Sequence, residues 1–196
     1  MKGNSFLHFF RFLLGIDQPL SQTTEKERLV IAKFASQASV CAEIGVYEGV
    51  NTVNIAQRLF KSGKLYAIDP FFKGSLGISY CQKIAYYYAK KNHVLNSIIF
   101  IKNFSYNAKD DIPNNIDFIF IDGDHSLSGI ERDWNDWSKK IKIGGFIALH
   151  DTSIPAHDQL VATLGSYIFF NSFIINDNRF EVVETVDSLN VLKRLS

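Results

Sequence analysis

Five short apolar runs separated by stretches of helical periodicity constrain this chain more than any other feature. They lie at residues 40–46, 64–70, 98–102, 116–121 and 146–149. A run such as Val40, Cys41, Ala42, Ile44 and Val46 is too continuous for a half-exposed strand and reads as one buried on both faces. Between the runs the period changes. Cys81, Ile84, Ala85 and Tyr88 share one helical face within 75–93, and Ile130, Trp134, Trp137 and Ile141 share another in a helix that Gly144-Gly145 stops. Thr24-Glu25-Lys26-Glu27 is a capping box opening an earlier helix, and a last helix covers about 158–170. Strands alternating with helices predict an α/β fold, a parallel sheet covered on both faces. Two closing strands, 180–186 and 190–194, are so close in sequence that they must pair antiparallel.

The first run passes straight into Gly45-Val46-Tyr47-Glu48-Gly49, and a helix follows with Asn51 as its expected N-cap and Val53, Ala56 and Leu59/Phe60 on one face. A strand, a glycine turn and a helix start bring backbone N–H groups together, and glycine lets a ligand approach the main chain. Glu43 is a carboxylate inside the apolar strand, costly to bury unless something such as a ligand ammonium pairs with it. Glu43-x-Gly45-x-x-x-Gly49 serves a nucleotide-like cofactor or a plain tight turn equally well.

With 196 residues, 46% of them apolar, the chain has the length of one domain with a sizeable core. A net charge of +1 and the lack of a basic cluster with interleaved aromatics give no reason to expect nucleic acid. Cys41 and Cys81 are the only cysteines, and the buried position expected for Cys41 argues against a disulfide and for a reducing cytoplasm. No apolar stretch approaches the ~20 residues that span a bilayer. The first 16 residues are apolar but short, broken by Arg11 and without a small-residue cleavage site, so a signal peptide is not expected. Residues 1–23 therefore read as an apolar segment and linker, and 24–196 as a single domain. The segment is open to several readings: a helix packed on the domain or on a second subunit of a homo-oligomer, a lid, or a membrane-surface helix.

Asp69, Asp122, Asp124 and Asp151 each stand just past or at the C-terminal end of an apolar run. In open α/β sheets that edge is where ligands bind, and an acid roughly 20 residues after the glycine turn is where a ribose-binding carboxylate belongs. NAD-binding folds and S-adenosylmethionine (SAM) methyltransferases share this feature. The glycine spacing is not G-x-G-x-x-G, and the chain closes with an antiparallel strand pair. The stretch 116–152, with D-G-D-H at a strand end, then a helix, G-G and a strand ending in H-D, resembles the small bacterial O-methyltransferases. The resemblance covers about residues 40–152.

That resemblance implies a Rossmann-like doubly wound sheet, mostly parallel with an antiparallel C-terminal strand, in the class I order 3-2-1-4-5-7-6, with SAM as cofactor. Glu43, Gly45 and Gly49 match the first motif, which faces the methionine part of SAM, with Tyr47 in its loop and Thr52 as the hydroxyl residue at the helix start. Asp69 matches the acid that holds the ribose. Ser105 matches the serine of a G-D-S motif near adenine, which here reads Asn103-Phe104-Ser105 and lacks its acid. Asp122 lies beside the cofactor.

SAM brings the electrophile, so the protein must hold an acceptor in line and remove its proton. Two routes stay open. Asp122, Asp151 and His150 could hold a divalent cation such as magnesium, or His125 could act as base beside Asp122. The expected function is O-methylation of a small molecule: a sugar, phenol or natural-product hydroxyl. The alternatives are an NAD-dependent oxidoreductase and a catalytically silent binding module.

Overall fold

A computed structural model describes residues 5–36 and 38–196. Helix α1 (Ser5–Leu13) and helix α2 (Glu25–Ala35) precede strand β1 (Val40–Ile44), after which strands and helices alternate. The order is α3 (Val50–Ala56), β2 (Lys64–Asp69), α4 (Tyr80–Lys91), β3 (Ile98–Lys102), α5 (Ser105–Ala108), β4 (Ile116–Ile121), α6 (Leu127–Trp137) and β5 (Ile141–Leu149). Helix α7 (Gly165–Ser172) leads into β6 (Phe180–Val186) and β7 (Leu189–Arg194). The seven strands form one sheet in the order β3-β2-β1-β4-β5-β7-β6. Strands β1 to β5 run parallel, while β7 is antiparallel to both β5 and β6.

Alternation along β1 sends Cys41 to one face of the sheet and Ala42 and Ile44 to the other, and both faces are covered. On the first face lie Ile31 and Ala35 of α2, Val53 and Ala56 of α3, and Ala85 and Ala89 of α4. On the second lie Ile130, Trp134 and Trp137 of α6 with Phe169 and Phe170 of α7. The Trp134 ring packs on Phe180 at 4.9 Å between centroids and is fully buried. Trp134→Ala is therefore expected to cost about 3–5 kcal/mol of stability, read by chemical denaturation, because a cavity replaces a large buried ring.

The capping box forms as the sequence predicts. The Thr24 hydroxyl accepts from the Glu27 amide at 3.2 Å, and the Glu27 carboxylate accepts from the Thr24 amide at 2.7 Å. Other expected boundaries move. The N-cap of α3 is Gly49 (φ +82°), not Asn51, which sits buried in the first turn and accepts from the Thr23 hydroxyl at 3.2 Å. Helix α4 starts only at Tyr80, capped by Ser79. The segment 158–170 is split by extended Leu164 into a 3-10 turn, Gln159–Thr163, and α7. Gly144-Gly145 does not stop a helix but lies inside β5. Pairing with β4 breaks between Ile116↔Ile141 and Phe118↔Phe146, and Gly144 at φ +80° makes the bulge.

Candidate functional site

The C-terminal ends of β1, β2 and β4 open into a cavity of about 710 Å³, a size that suits a nucleoside-bearing ligand. Its wall is the turn after β1. Gly45 there has φ +89°, and a Cβ on it would stand 1.9 Å from the carbonyl oxygen of Asp122. The glycine is thus required because the ends of β1 and β4 cross closely, over and above any room it leaves for a ligand. Asp69, at the end of β2, pins the same turn. Its Oδ2 accepts from the amides of Val46 at 2.9 Å and Tyr47 at 3.0 Å, and its Oδ1 from the amide of Phe71 at 2.6 Å.

Of the positions singled out for a cofactor, Gly45, Tyr47, Asp69, Ser105 and Asp122 line this cavity; Glu43, Gly49 and Thr52 do not. Gly49 instead packs against Ala85 of α4, where a Cβ would meet the Ala85 Cα at 2.9 Å. Glu43 and Thr52 are fully buried beneath the turn. Burial drives the Glu43 carboxyl well above its usual range; the Thr52 hydroxyl acts the other way, and the charges of Asp122 and Asp69 reinforce the rise. Burial thus disfavours the charged form of Glu43. Sequence reasoning missed Arg132 and Asp133 of α6, and Leu20, Ser21 and Gln22 of the linker, all of which line the cavity. Asp133 did carry a signal, since it falls in phase with Ile130, Trp134 and Trp137 on the buried stripe.

Past β4 and β5 the structure brings Asp122, His125, His150 and Asp151 together. His125 lies between two carboxylates, with Nε2 3.6 Å from Asp122 Oδ1 and Nδ1 3.5 Å from Asp151 Oδ2. His150 is buried, with Nδ1 3.0 Å from Asp122 Oδ1 and 3.5 Å from Asp151 Oδ1. Its Nε2 faces Glu27 Oε2 at 3.5 Å. The Asp122 contact is close but poorly aligned, so neither of its two atoms makes a true hydrogen bond. Asp151 reaches this position in the left-handed region (φ +54°), its carbonyl accepting from the Ser166 hydroxyl at 2.8 Å. Glu27, which the sequence showed only as half of a capping box, also accepts from the amide and hydroxyl of Ser188 at 2.9 and 2.8 Å.

Burial alone would lower His150, but Asp122, Glu27 and Asp151 outweigh it and raise it to about 10. Burial raises Glu27, yet the bond and charge of His150, with the Thr24 and Ser188 donors, bring it down to about 2. Facing carboxylates repel unless a cation lies between them; here the imidazolium of His150 is that cation. Both ring nitrogens of His150 face acids, with Nδ1 toward Asp122 and Asp151 and Nε2 toward Glu27. Among the described residues, no three His, Cys, Asp or Glu side chains are set to hold a metal ion together.

A pH dependence of stability follows. The contribution of His150 is fully present below its ordinary 6.5 and is lost as pH rises toward about 10. That of Glu27 is present above its ordinary 4.5 and is lost as pH falls toward about 2. Denaturant midpoints are expected to fall between pH 6.5 and about 10. His150→Gln is expected to flatten that alkaline limb. An unchanged limb in the variant would place its cause elsewhere.

The N-terminal segment docks beside the cavity. Phe12 is buried and meets Tyr87 of α4 edge-on at 5.6 Å, while Phe9 lies 5.5 Å from Tyr80. His8 Nδ1 is 3.1 Å from Asp17 and its Nε2 3.1 Å from Glu48, in the turn after β1; Glu48 also accepts from the Leu20 amide at 2.6 Å. Glu48 is thereby turned away from the cavity and toward α1. Residues 1–4 of the segment lie outside the described residues. No helix among the described residues is long and apolar enough to cross a membrane.

The sheet order, its antiparallel last strand and a cavity at the C-terminal strand ends define the class I SAM-dependent methyltransferase fold. The chain belongs to a methyltransferase-domain family, whose profile matches residues 42–152. It is similar to the O-methyltransferase TomG of Streptomyces achromogenes, involved in tomaymycin synthesis and solved with SAM: TM-score 0.70, 14% identity, 100% of this chain and 92% of that one. A Bacillus cereus O-methyltransferase solved with S-adenosylhomocysteine (SAH) matches at TM-score 0.63 and 16% identity, over 99% and 92% of the two chains. An uncharacterized protein of Acanthamoeba polyphaga mimivirus is 28% identical over 95% of this chain and 86% of its own length.

Proposed function

We propose that this protein transfers the methyl group of SAM to a hydroxyl oxygen of a small molecule, with His125 as general base. The observation that carries the reading is the place of Asp122. It lines the cofactor-sized cavity and lies 3.6 Å from His125, which faces an adjoining open groove of about 540 Å³. Leu127, Leu164 and Ile168 line that groove beside Asp124 and Ser126, an apolar wall with polar groups at one end that suits a hydroxylated ring.

SAM, when bound, supplies an electrophilic methyl. Asp69 would hold the ribose and the turn at Gly45 the methionine part. His125 is placed to take the proton of an acceptor hydroxyl, with the carboxylates of Asp122 and Asp151 on either side to stabilise the resulting imidazolium; the methyl would leave the sulfonium sulfur for the acceptor oxygen, with SAH as the leaving group. No divalent ion enters this reading. The unpaired Cys41 and Cys81 fit a cytoplasmic protein.

Calorimetry with SAH and with NAD, followed by transfer from methyl-labelled SAM to hydroxylated acceptors in the presence and absence of EDTA, tests the proposal. SAH binding and label transfer undiminished by EDTA are expected. NAD binding without SAH binding would replace the reading by a dehydrogenase. SAH binding with no transfer would leave a silent module, and transfer abolished by EDTA would restore the metal.

The segment before residue 24 is read as a cover over the cavity mouth, because Leu20, Ser21 and Gln22 line it. Deleting residues 1–16 leaves those three in the chain but removes the His8–Glu48 contact. It is expected to change acceptor turnover or oligomeric state while SAH affinity moves little, read by calorimetry and light scattering. A truncated protein with full turnover and the same mass in solution would show the segment to be dispensable.

A further inference from the structure

The stretch Asn103-Phe104-Ser105 lacks the acid of the motif it resembles, but its serine meets a carboxylate from another element. Ser105 opens α5 and donates its hydroxyl to Asp133 Oδ1 at 2.5 Å. Asp133 comes from α6, is only 4% exposed and lines the cavity. Among the described residues no other hydrogen bond and no ion pair reaches it. Its neighbour Arg132 turns instead to the Tyr106 ring, 4.6 Å from the centroid. The free Oδ2 lies 3.4 Å from the point a Cβ on Gly123 would occupy, so the glycine after Asp122 keeps that oxygen uncovered at the end of β4.

A buried carboxyl satisfied by a single hydroxyl is costly unless a ligand donor completes it. Burial pushes Asp133 up to about 6, with the Ser105 hydroxyl and Arg132 pulling the other way. The surroundings are flat and aromatic. Phe104 stacks on Tyr106 at 5.3 Å and meets Phe72 edge-on at 5.9 Å, and all three rings sit at this part of the cavity. They suit a planar heterocycle that carries an N–H donor on its edge.

We infer that Asp133 Oδ2 accepts a hydrogen bond from the exocyclic amine of the purine, making α6 rather than the loop after β3 the source of base selectivity. The inference rests on the reading of the cavity as a SAM site.

The test compares binding of SAH with S-inosylhomocysteine, in which a carbonyl replaces the amine, and with the analogue carrying unsubstituted purine. The wild-type protein is expected to bind SAH about 10-fold or more tightly than either. In Asp133→Asn, whose amide can donate to the inosine carbonyl, the preference for SAH over the inosyl compound is expected to shrink to about 3-fold or less. A variant that retains the wild-type ratio would overturn the assignment. If the variant does not fold, the wild type still decides, because equal affinity for SAH and the unsubstituted purine would overturn it. A wild-type protein that binds none of the three would instead remove the cofactor reading on which the inference rests.

Discussion

His125→Ala is expected to lower methyl transfer about 10²–10⁴-fold, the usual worth of a positioned general base, while SAH affinity stays within about 2-fold. The ring is placed by contacts on both sides, 3.6 Å from Asp122 and 3.5 Å from Asp151, and does not line the cofactor cavity. Removing it should therefore strike turnover and spare binding. Single-turnover rates and SAH titrations of the two proteins provide the check. A variant with wild-type rate would move the base to another residue.

Gly45→Val is expected to cost about 4 kcal/mol or more, a fall in melting temperature of about 8–16 °C for a domain of this size. Were Gly45 there only to let a ligand approach the main chain, lost cofactor binding with near-normal stability would be expected instead. With the Asp122 carbonyl 1.9 Å from the would-be Cβ and φ at +89°, a branched side chain must push apart two central strands. Thermal melts without ligand test this directly. A normal melt would mean that the ends of β1 and β4 can part cheaply.

The strands were legible because their apolar runs are nearly continuous, and the order of the acids at their ends identified the edge of the sheet that carries the cavity. The boundary at Ile141 was not legible for a specific reason. Ile130, Trp134, Trp137 and Ile141 keep helical spacing and are all buried, but the last already belongs to β5. Periodicity reports which residues face a core, not where the backbone changes direction.

The convergence of Asp122, His125 and Asp151 could be read because each follows a strand directly. The role of Glu27 could not, since its local task in the capping box accounts for a glutamate at that position and its contact with His150 depends on tertiary packing. The charge balance of the site was hidden by the same gap. Without Glu27 in view, His150 was read as a ligand for an ion, with no third acid beside its ring.

Glu48 belongs to two structures at once: it sits in the turn after β1, beside the amides held by Asp69, and it receives His8 from α1. Docking of the N-terminal helix and ordering of that turn therefore share one residue, and thermodynamic reciprocity applies to them. Whatever free energy a bound molecule gains from a helix already seated, the helix gains in turn from the molecule. Amide exchange along α1 then becomes a gauge of cavity occupancy, although no residue of α1 lines the cavity. A slower exchange there on filling the site would measure the coupling from a distance.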